Sequence, residues 1–221
     1  ALPRCYPPPM PPHDLVIRDL RSADRARAAD LMAGAFADFP AMQVVVGSGA
    51  GARDRLRRIF ALEFEPGSPV SAMAAELNGR LVGALTYIDA PACSEMSAGR
   101  MLRFVRIAGP RIVRAMRMFR RIERVHPVSG HRHLPSIAVL PELQFQGIGH
   151  ELMAAFHERA DAAGRSAYLE TIRWFDESQP SLERFYTSQG YSIADEVPMT
   201  EAWSVLTMVR PPAAPQGERA G

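Results

Sequence analysis

The chain has 221 residues, 47% of them hydrophobic and 23% charged, with a formal net charge of +2. This balance fits one soluble globular domain with a full core, and the net charge by itself points to neither nucleic acid nor membrane. All 26 basic residues are arginine. Without lysine there is no P-loop side chain for nucleotide phosphates and no amine for a Schiff base with pyridoxal phosphate, so both chemistries are excluded. The lysine-free, alanine-rich composition matches the coding bias of a GC-rich bacterial genome.

Cys5 and Cys93 stand far apart and build neither a disulfide framework nor a thiolate metal site. No apolar run approaches ~20 residues, and the first residues lack the apolar stretch of a signal peptide, so the expected compartment is the cytoplasm. Residues 1–12 hold Pro3, Pro7, Pro8, Pro9, Pro11 and Pro12 and read as a disordered leader, because proline cannot donate the bonds of a helix or central strand. Residues 211–221 read as a similar tail. A single folded domain is expected over 13–210.

In chain order, a short strand at Leu15–Ile17 leads to a helix capped near Ser22, with Leu31, Met32, Ala35 and Phe36 as its apolar side and Pro40 as its stop. A second helix runs over Ala52–Phe64. Two extended apolar runs, Val70–Leu77 and Arg80–Ile88, flank Asn78-Gly79, a pair that readily takes the left-handed dihedrals of a two-residue hairpin turn. Residues 97–125 carry helical periodicity broken at Gly109-Pro110, with Pro110 suited to open the next helix. A strand over His133–Val139, a helix over Gln146–Ala163 ended by Gly164, and a strand over Ala167–Thr171 form a strand–helix–strand unit. Ser181–Gln189 is a short helix stopped by Gly190, and extended pieces follow at Tyr191–Ile193 and Trp203–Val209. The order is βααββ, a helical insert, then βαβαββ, which predicts a mixed α/β sheet.

The turn from Val139 to Leu152 carries the most chemistry. A strand ends at Val139, a helix begins near Gln146, and Gly147 and Gly149 fall in its first turn. Unpaired N–H groups and the positive end of the helix dipole favour an anion there, and glycine lets a pyrophosphate approach the backbone. A dinucleotide fold would place a third glycine where Leu152 stands and would put the motif near a first strand, so that reading fails.

Val139-x-Pro141-x-x-Gln144-x-x-Gly147-x-Gly149-x-x-Leu152 resembles the acyl-CoA signature of the GNAT (Gcn5-related) N-acetyltransferases. Leu169-Glu170-Thr171, followed by Glu183-Arg184-Phe185-Tyr186-x-x-x-Gly190-Tyr191, resembles the second signature of that family. Ala35-Phe36-Ala37-Asp38-Phe39-Pro40 is similar to the same region in the sub-branch of puromycin N-acetyltransferase. The resemblance covers about 14–210 and implies an α/β (α+β) fold. Its mixed, mostly antiparallel sheet would be flanked by helices and splayed between the fourth and fifth strands.

Acetyl-CoA is the implied co-substrate. Its pantetheine arm would pair with the strand at Ile137, Ala138 and Val139, where a backbone N–H would polarise the thioester carbonyl. The N–H groups of Gln144, Phe145, Gln146, Gly147, Ile148, Gly149 and His150 would hold the pyrophosphate. The family's pattern assigns Tyr186 as the acid that protonates the departing thiolate. Glu170 is the expected base, its carboxyl raised toward working pH by burial at a strand end. Gln179 stands where many members have asparagine; its amide would reach the pantetheine on a longer arm.

His126, His131 and His133 precede the central strand, but no four-ligand set surrounds them, so no metal is expected, and one of them would line the acceptor pocket instead. From Arg100 to Arg124 nine arginines face one acid, Glu123, for a local net of +8. On a helical wheel Arg111, Arg114, Arg117, Arg120, Arg121 and Arg124 share one side, and Ile112, Ala115, Met116, Phe119 and Ile122 the other. A solvated cationic face over a buried apolar one is the plain reading, and nothing in the sequence supports a nucleic-acid or membrane partner. If the arginines faced the acceptor, polycations such as aminoglycosides would be repelled. The expected function is acetylation of a primary amine on a small molecule by direct transfer. Two alternatives are acetylation of a protein or peptide and an acyl-CoA-binding sensor with little catalysis; homodimerisation is left open.

Overall fold

A computed structural model describes residues 11–90, 97–127, 130–176, 178–179 and 181–213. Cys5, Cys93, most of the leader and the tail beyond 213 lie outside the described residues. The strands are β1 (Leu15–Asp19), β2 (Ser71–Leu77), β3 (Arg80–Ala90), β4 (His131–Val139), β5 (Ser166–Trp174), β6 (Ser192–Pro198) and β7 (Trp203–Arg210). The helices are α1 (Arg25–Phe36), α2 (Pro40–Val46), α3 (Ala52–Glu63), α4 (Ala98–Ala108), α5 (Ile112–Glu123), α6 (Ile148–Ala162) and α7 (Glu183–Ser188). The strands form a mixed sheet in the order β1-β2-β3-β4-β5-β7-β6. Only β4–β5 is parallel among the registered pairs, while β1–β2, β5–β7 and β6–β7 are antiparallel. The described residues fall into two compact units, one within 1–86, 96–112 and 136–155, the other within 87–95, 113–135 and 156–221.

The first unit begins where Arg18 of β1 grips Glu76 of β2 and Asp24, the latter at 2.7 Å. Ser22 is not the helix cap expected from sequence: it opens a short 3-10 turn in which the Asp24 carboxylate accepts the Arg21 N–H. α1 buries Ala28, Ala29, Met32 and Ala33, whereas Ala35 is exposed. Pro40 both follows α1 and opens α2, because a proline at the first helical position gives up no bond that the helix needs. α3 buries Leu56, Ile59 and Phe60, and the Phe36 and Phe60 rings meet at 5.7 Å. The β2–β3 turn has Asn78 at φ 51° and Gly79 at φ 75°, the dihedrals foreseen for Asn-Gly. A Cβ on Gly83 of β3 would stand 3.1 Å from Leu152 Cδ1 of α6 and 3.2 Å from the Ala138 carbonyl, so any larger residue would press on both neighbours.

In the second unit β5 lies between β4 and β7, with Tyr168, Leu169 and Leu206 fully buried. β4 and β5 pair only from His131↔Ser166 to Leu134↔Leu169 among the described residues. The next residue of β4, Pro135, has no N–H to donate, and the ladder stops there although both strands continue. This is the parting of the fourth and fifth strands expected from sequence. The edge strand β6 carries Asp195 and Glu196, a register shift between Ile193 and Asp195, and Pro198, all features that discourage further strand pairing.

Candidate active site

In the first unit, β4 ends at Val139, whose carbonyl accepts the Gln144 side-chain amide at 3.3 Å, and the Gln146 amide donates to the Glu142 carbonyl at 3.4 Å. These bonds fold the turn back on the strand end. α6 starts at Ile148, two residues later than expected, so Gly147 lies ahead of the helix at φ 82° and only Gly149 falls in its first turn. Phe145 is also left-handed, at φ 63°, with its ring 94% exposed. A non-glycine residue in that region is uncommon and marks a backbone held for a purpose. Among the described residues, the N–H groups of Phe145, Gln146, Gly147, Ile148 and Gly149 donate to no backbone carbonyl. Five adjacent amides at a helix start, bent by two left-handed residues, have the arrangement that suits an anion. Ile137 and Val139 are half-buried and Ala138 is buried; His150 bonds within its own turn through N–H to the Gly147 carbonyl.

In the second unit, Glu170 of β5 meets His133 of β4, Oε2 to Nε2 at 2.7 Å. The register aligns His133 with Tyr168, and residues two apart share a strand face, so the imidazole and the carboxylate project on one side. Rings of His126, His131 and His133 close on Tyr168 with centroids 4.6–5.2 Å away, and the tilted His126 and His131 rings meet at 4.7 Å. Burial alone would push the Glu170 carboxyl up. His133, the Tyr168 hydroxyl and His126 outweigh it and hold the group below its ordinary value, so Glu170 is ionised rather than raised as sequence predicted. Tyr168 is pushed up, by burial and then by the Glu170 charge.

Tyr186 sits on α7 with 4% of its surface exposed, and burial pushes its phenol up, so the proton stays on oxygen. Its ring meets Tyr191 at 6.0 Å, and the Tyr191 hydroxyl bonds His157 of α6 at 3.1 Å. Arg173 of β5 fixes α7 through Glu183 at 3.0 Å. Arg132, the neighbour of His133 on the other strand face, lies over the Tyr87 ring at 4.9 Å, and Tyr87 also contacts Arg159 and Phe156 of α6. Tyr186, joined to α6 through Tyr191, therefore belongs to the face opposite Glu170.

The sequence model described as acetyltransferase (GNAT) domain matches residues 85–209, more than half of the chain. The chain belongs to the GNAT acetyltransferase family. Solved structures share the fold at low identity. A structure described as histone acetyltransferase HPA2 and related acetyltransferase, from Corynebacterium glutamicum, is 20% identical with a TM-score of 0.66, over 92% of this chain and 99% of that one. The ribosomal-protein-S18-alanine N-acetyltransferase of Escherichia coli is 16% identical with a TM-score of 0.54, over 92% and 98%. The PaiA N-acetyltransferase of Thermoplasma acidophilum, solved with coenzyme A, is 12% identical with a TM-score of 0.52, over 89% and 98%.

The remaining candidates of this GNAT chain divide clearly. Gln179 is exposed, and its backbone N–H donates to the Asp176 carbonyl at 3.1 Å, beside the end of β5. The three histidines gather around Tyr168 in tilted and edge-on ring contacts, and no group of three metal-ligating side chains occurs among the described residues. Arg111, Arg114, Arg117, Arg120, Arg121 and Arg124 are all exposed, with Arg121 donating to the Pro198 carbonyl. α5 seats Ala115 and Met118, while Met116 and Phe119, placed on the apolar side by the wheel, remain 37% and 40% exposed. No single helix among the described residues is long and apolar enough to cross a membrane. The pairing of His133 with Glu170 was not read from sequence; the signal for it is two strands in parallel register, each with a polar residue on the same face.

Proposed function

We propose that this GNAT chain is a cytoplasmic acetyl-CoA-dependent N-acetyltransferase acting on a primary amine of a small molecule, with 13–210 as its catalytic domain. The observation that carries the reading is the row of free amides from Phe145 to Gly149, bent by left-handed Phe145 and Gly147. Those amides, with Gln144 and His150, would take the pyrophosphate, and the backbone of Ile137, Ala138 and Val139 would take the pantetheine amides and the thioester carbonyl. Gln179 would add a side-chain contact to the pantetheine.

Acetyl transfer needs a base for the ammonium and an acid for the thiolate. Glu170, with the groups bonded to it, serves the first need on one face of β5. Tyr186, whose proton is retained by burial, serves the second. The segment Ala35–Pro40 favours a place near the puromycin N-acetyltransferases. A protein or peptide acceptor is the second reading, since two structures of the same fold carry names of enzymes acting on histone or ribosomal protein. A sensor without catalysis is the third, and two proton-transfer groups in one unit count against it.

The test is calorimetric and chemical. Acetyl-CoA at ~100 times its dissociation constant should stabilise the full chain by about 2.7 kcal/mol, seen as a rise in Tm. A panel of small amines and of peptides is then scored for release of the coenzyme A thiol. No Tm rise at millimolar acetyl-CoA overturns the reading; release with peptides alone favours the protein acceptor, and binding without any release favours the sensor.

A further inference from the structure

We propose that the proton of the acceptor amine is taken by His133, held and charge-balanced by Glu170, so that the base of this site is an imidazole–carboxylate pair. The inference rests on the acetyltransferase reading above and names a residue which that reading leaves unused. The pair is made by the fold: His133 and Tyr168 are register partners on β4 and β5, and Glu170 follows two residues after Tyr168 on the same face. The contact is 2.7 Å, the length of a charge-assisted bond. Each side chain keeps about a fifth of its surface in water, so the pair is not sealed in the core.

Glu170 alone is poorly suited to the task. A carboxylate held ionised by its partners has little affinity for an ammonium proton. An imidazole exchanges protons in the neutral range, and a carboxylate behind it fixes its tautomer and balances the charge it gains. With Nε2 donating to Glu170 Oε2, Nδ1 is the free acceptor. Other groups surround the pair or its neighbour Tyr168: Tyr168 on β5, His131 on β4 and His126 beyond α5 lie around the pair, and the charges of Glu123 on α5 and Asp195 on β6 act on Tyr168. The His126 ring lies 5.5 Å from that of His133 and limits its rotation.

The proton count closes. R–NH3+ gives one proton to His133 Nδ1, and the free amine attacks the thioester carbon, forming the C–N bond. The C–S bond then breaks and Tyr186 protonates the sulfur; the second nitrogen proton leaves to water, and Tyr186 regains one from water. The products are the amide and coenzyme A thiol, and His133 returns its proton to water.

Two measurements on the full chain test this. Thiol release is followed from about pH 5.5 to about 9.5 with the amine that turns over best, bracketing the range in which an imidazole titrates. His133→Gln should lower kcat/KM by ~10²–10⁴-fold and erase the acid limb of the profile. Glu170→Gln should keep that limb but move it to lower pH, because the balancing anion is gone. Histidine 15N shifts, titrated without substrate, should show the His133 midpoint moving the same way in Glu170→Gln. His133→Asn, with a matching Tm, guards against loss of fold. Wild-type rate and an intact acid limb in His133→Gln, or an unmoved His133 midpoint in Glu170→Gln, overturn the proposal. If acetyl-CoA neither binds nor reacts, the acetyltransferase reading fails on its own, and the 15N titration still decides the pairing.

Discussion

Tyr186 shows how a single side chain is prepared for its step. Its burial costs the phenolate far more than the phenol, so the residue waits as an acid with its proton in place. Tyr186→Phe removes only that proton. Turnover should fall by ~10²–10⁴-fold while the Tm rise with acetyl-CoA persists; unchanged turnover would make the residue structural. Glu63, on α3, is a different buried acid. Its Oε2 has no hydrogen-bond partner among the described residues, and burial raises the carboxyl to about 7. A raised acid contributes stability that is complete below its unfolded value near 4.5 and is lost as pH rises through about 7. The loss is on the order of 3 kcal/mol. Glu63→Gln should therefore flatten the decline in Tm between about pH 5 and 8 relative to the parent chain.

Among the elements, the β4–α6 turn makes the sharpest claim. Gly147 stands at φ 82°, where a branched valine is strained, between the free amides of Gln146 and Ile148. Gly147→Val should cost about 1–2 kcal/mol, lower the ligand-free Tm by about 2–8 °C, and abolish the Tm rise with acetyl-CoA. Most of the element order was legible in the sequence because alternation, helical periodicity and Asn78-Gly79 are local signals. What escaped was decided between elements. Pro40 reads as a stop, yet it opens α2, since the same missing N–H suits either role. Pro135 looks harmless inside an apolar run, and only the parallel partner reveals that it ends the ladder. Glu170 was legible as a polar strand residue, but the sign of its shift depended on His133, thirty-seven positions away. Left-handed Phe145 had no composition signal at all, because phenylalanine seldom takes that conformation.

At the scale of the molecule, charge placement revises the expected acceptor. The arginines of α5 are exposed, and the charges set against Tyr168 in its unit are the carboxylates of Glu170, Glu123 and Asp195. The repulsion expected for polycations loses its basis. Spermidine should bind with a lower KM than an amine bearing a carboxylate, and its KM should rise with salt as the field is screened; the opposite order would return the arginines to the acceptor side. The lysine-free composition and the three buried phenols have a joint consequence for alkaline solution. Tyr168, Tyr186 and Tyr191 are all pushed up by burial, and there is no ammonium to ionise near pH 10. Near pH 10 those three phenols keep their protons in the native chain, and with no lysine it sheds fewer protons there than most proteins. Unfolding frees three phenols at once, so above about pH 10 stability should fall by about 4 kcal/mol per pH unit, each phenol contributing about 1.4. Alkaline denaturation should be abrupt, with a burst of three protons per chain and a matching rise in phenolate absorbance.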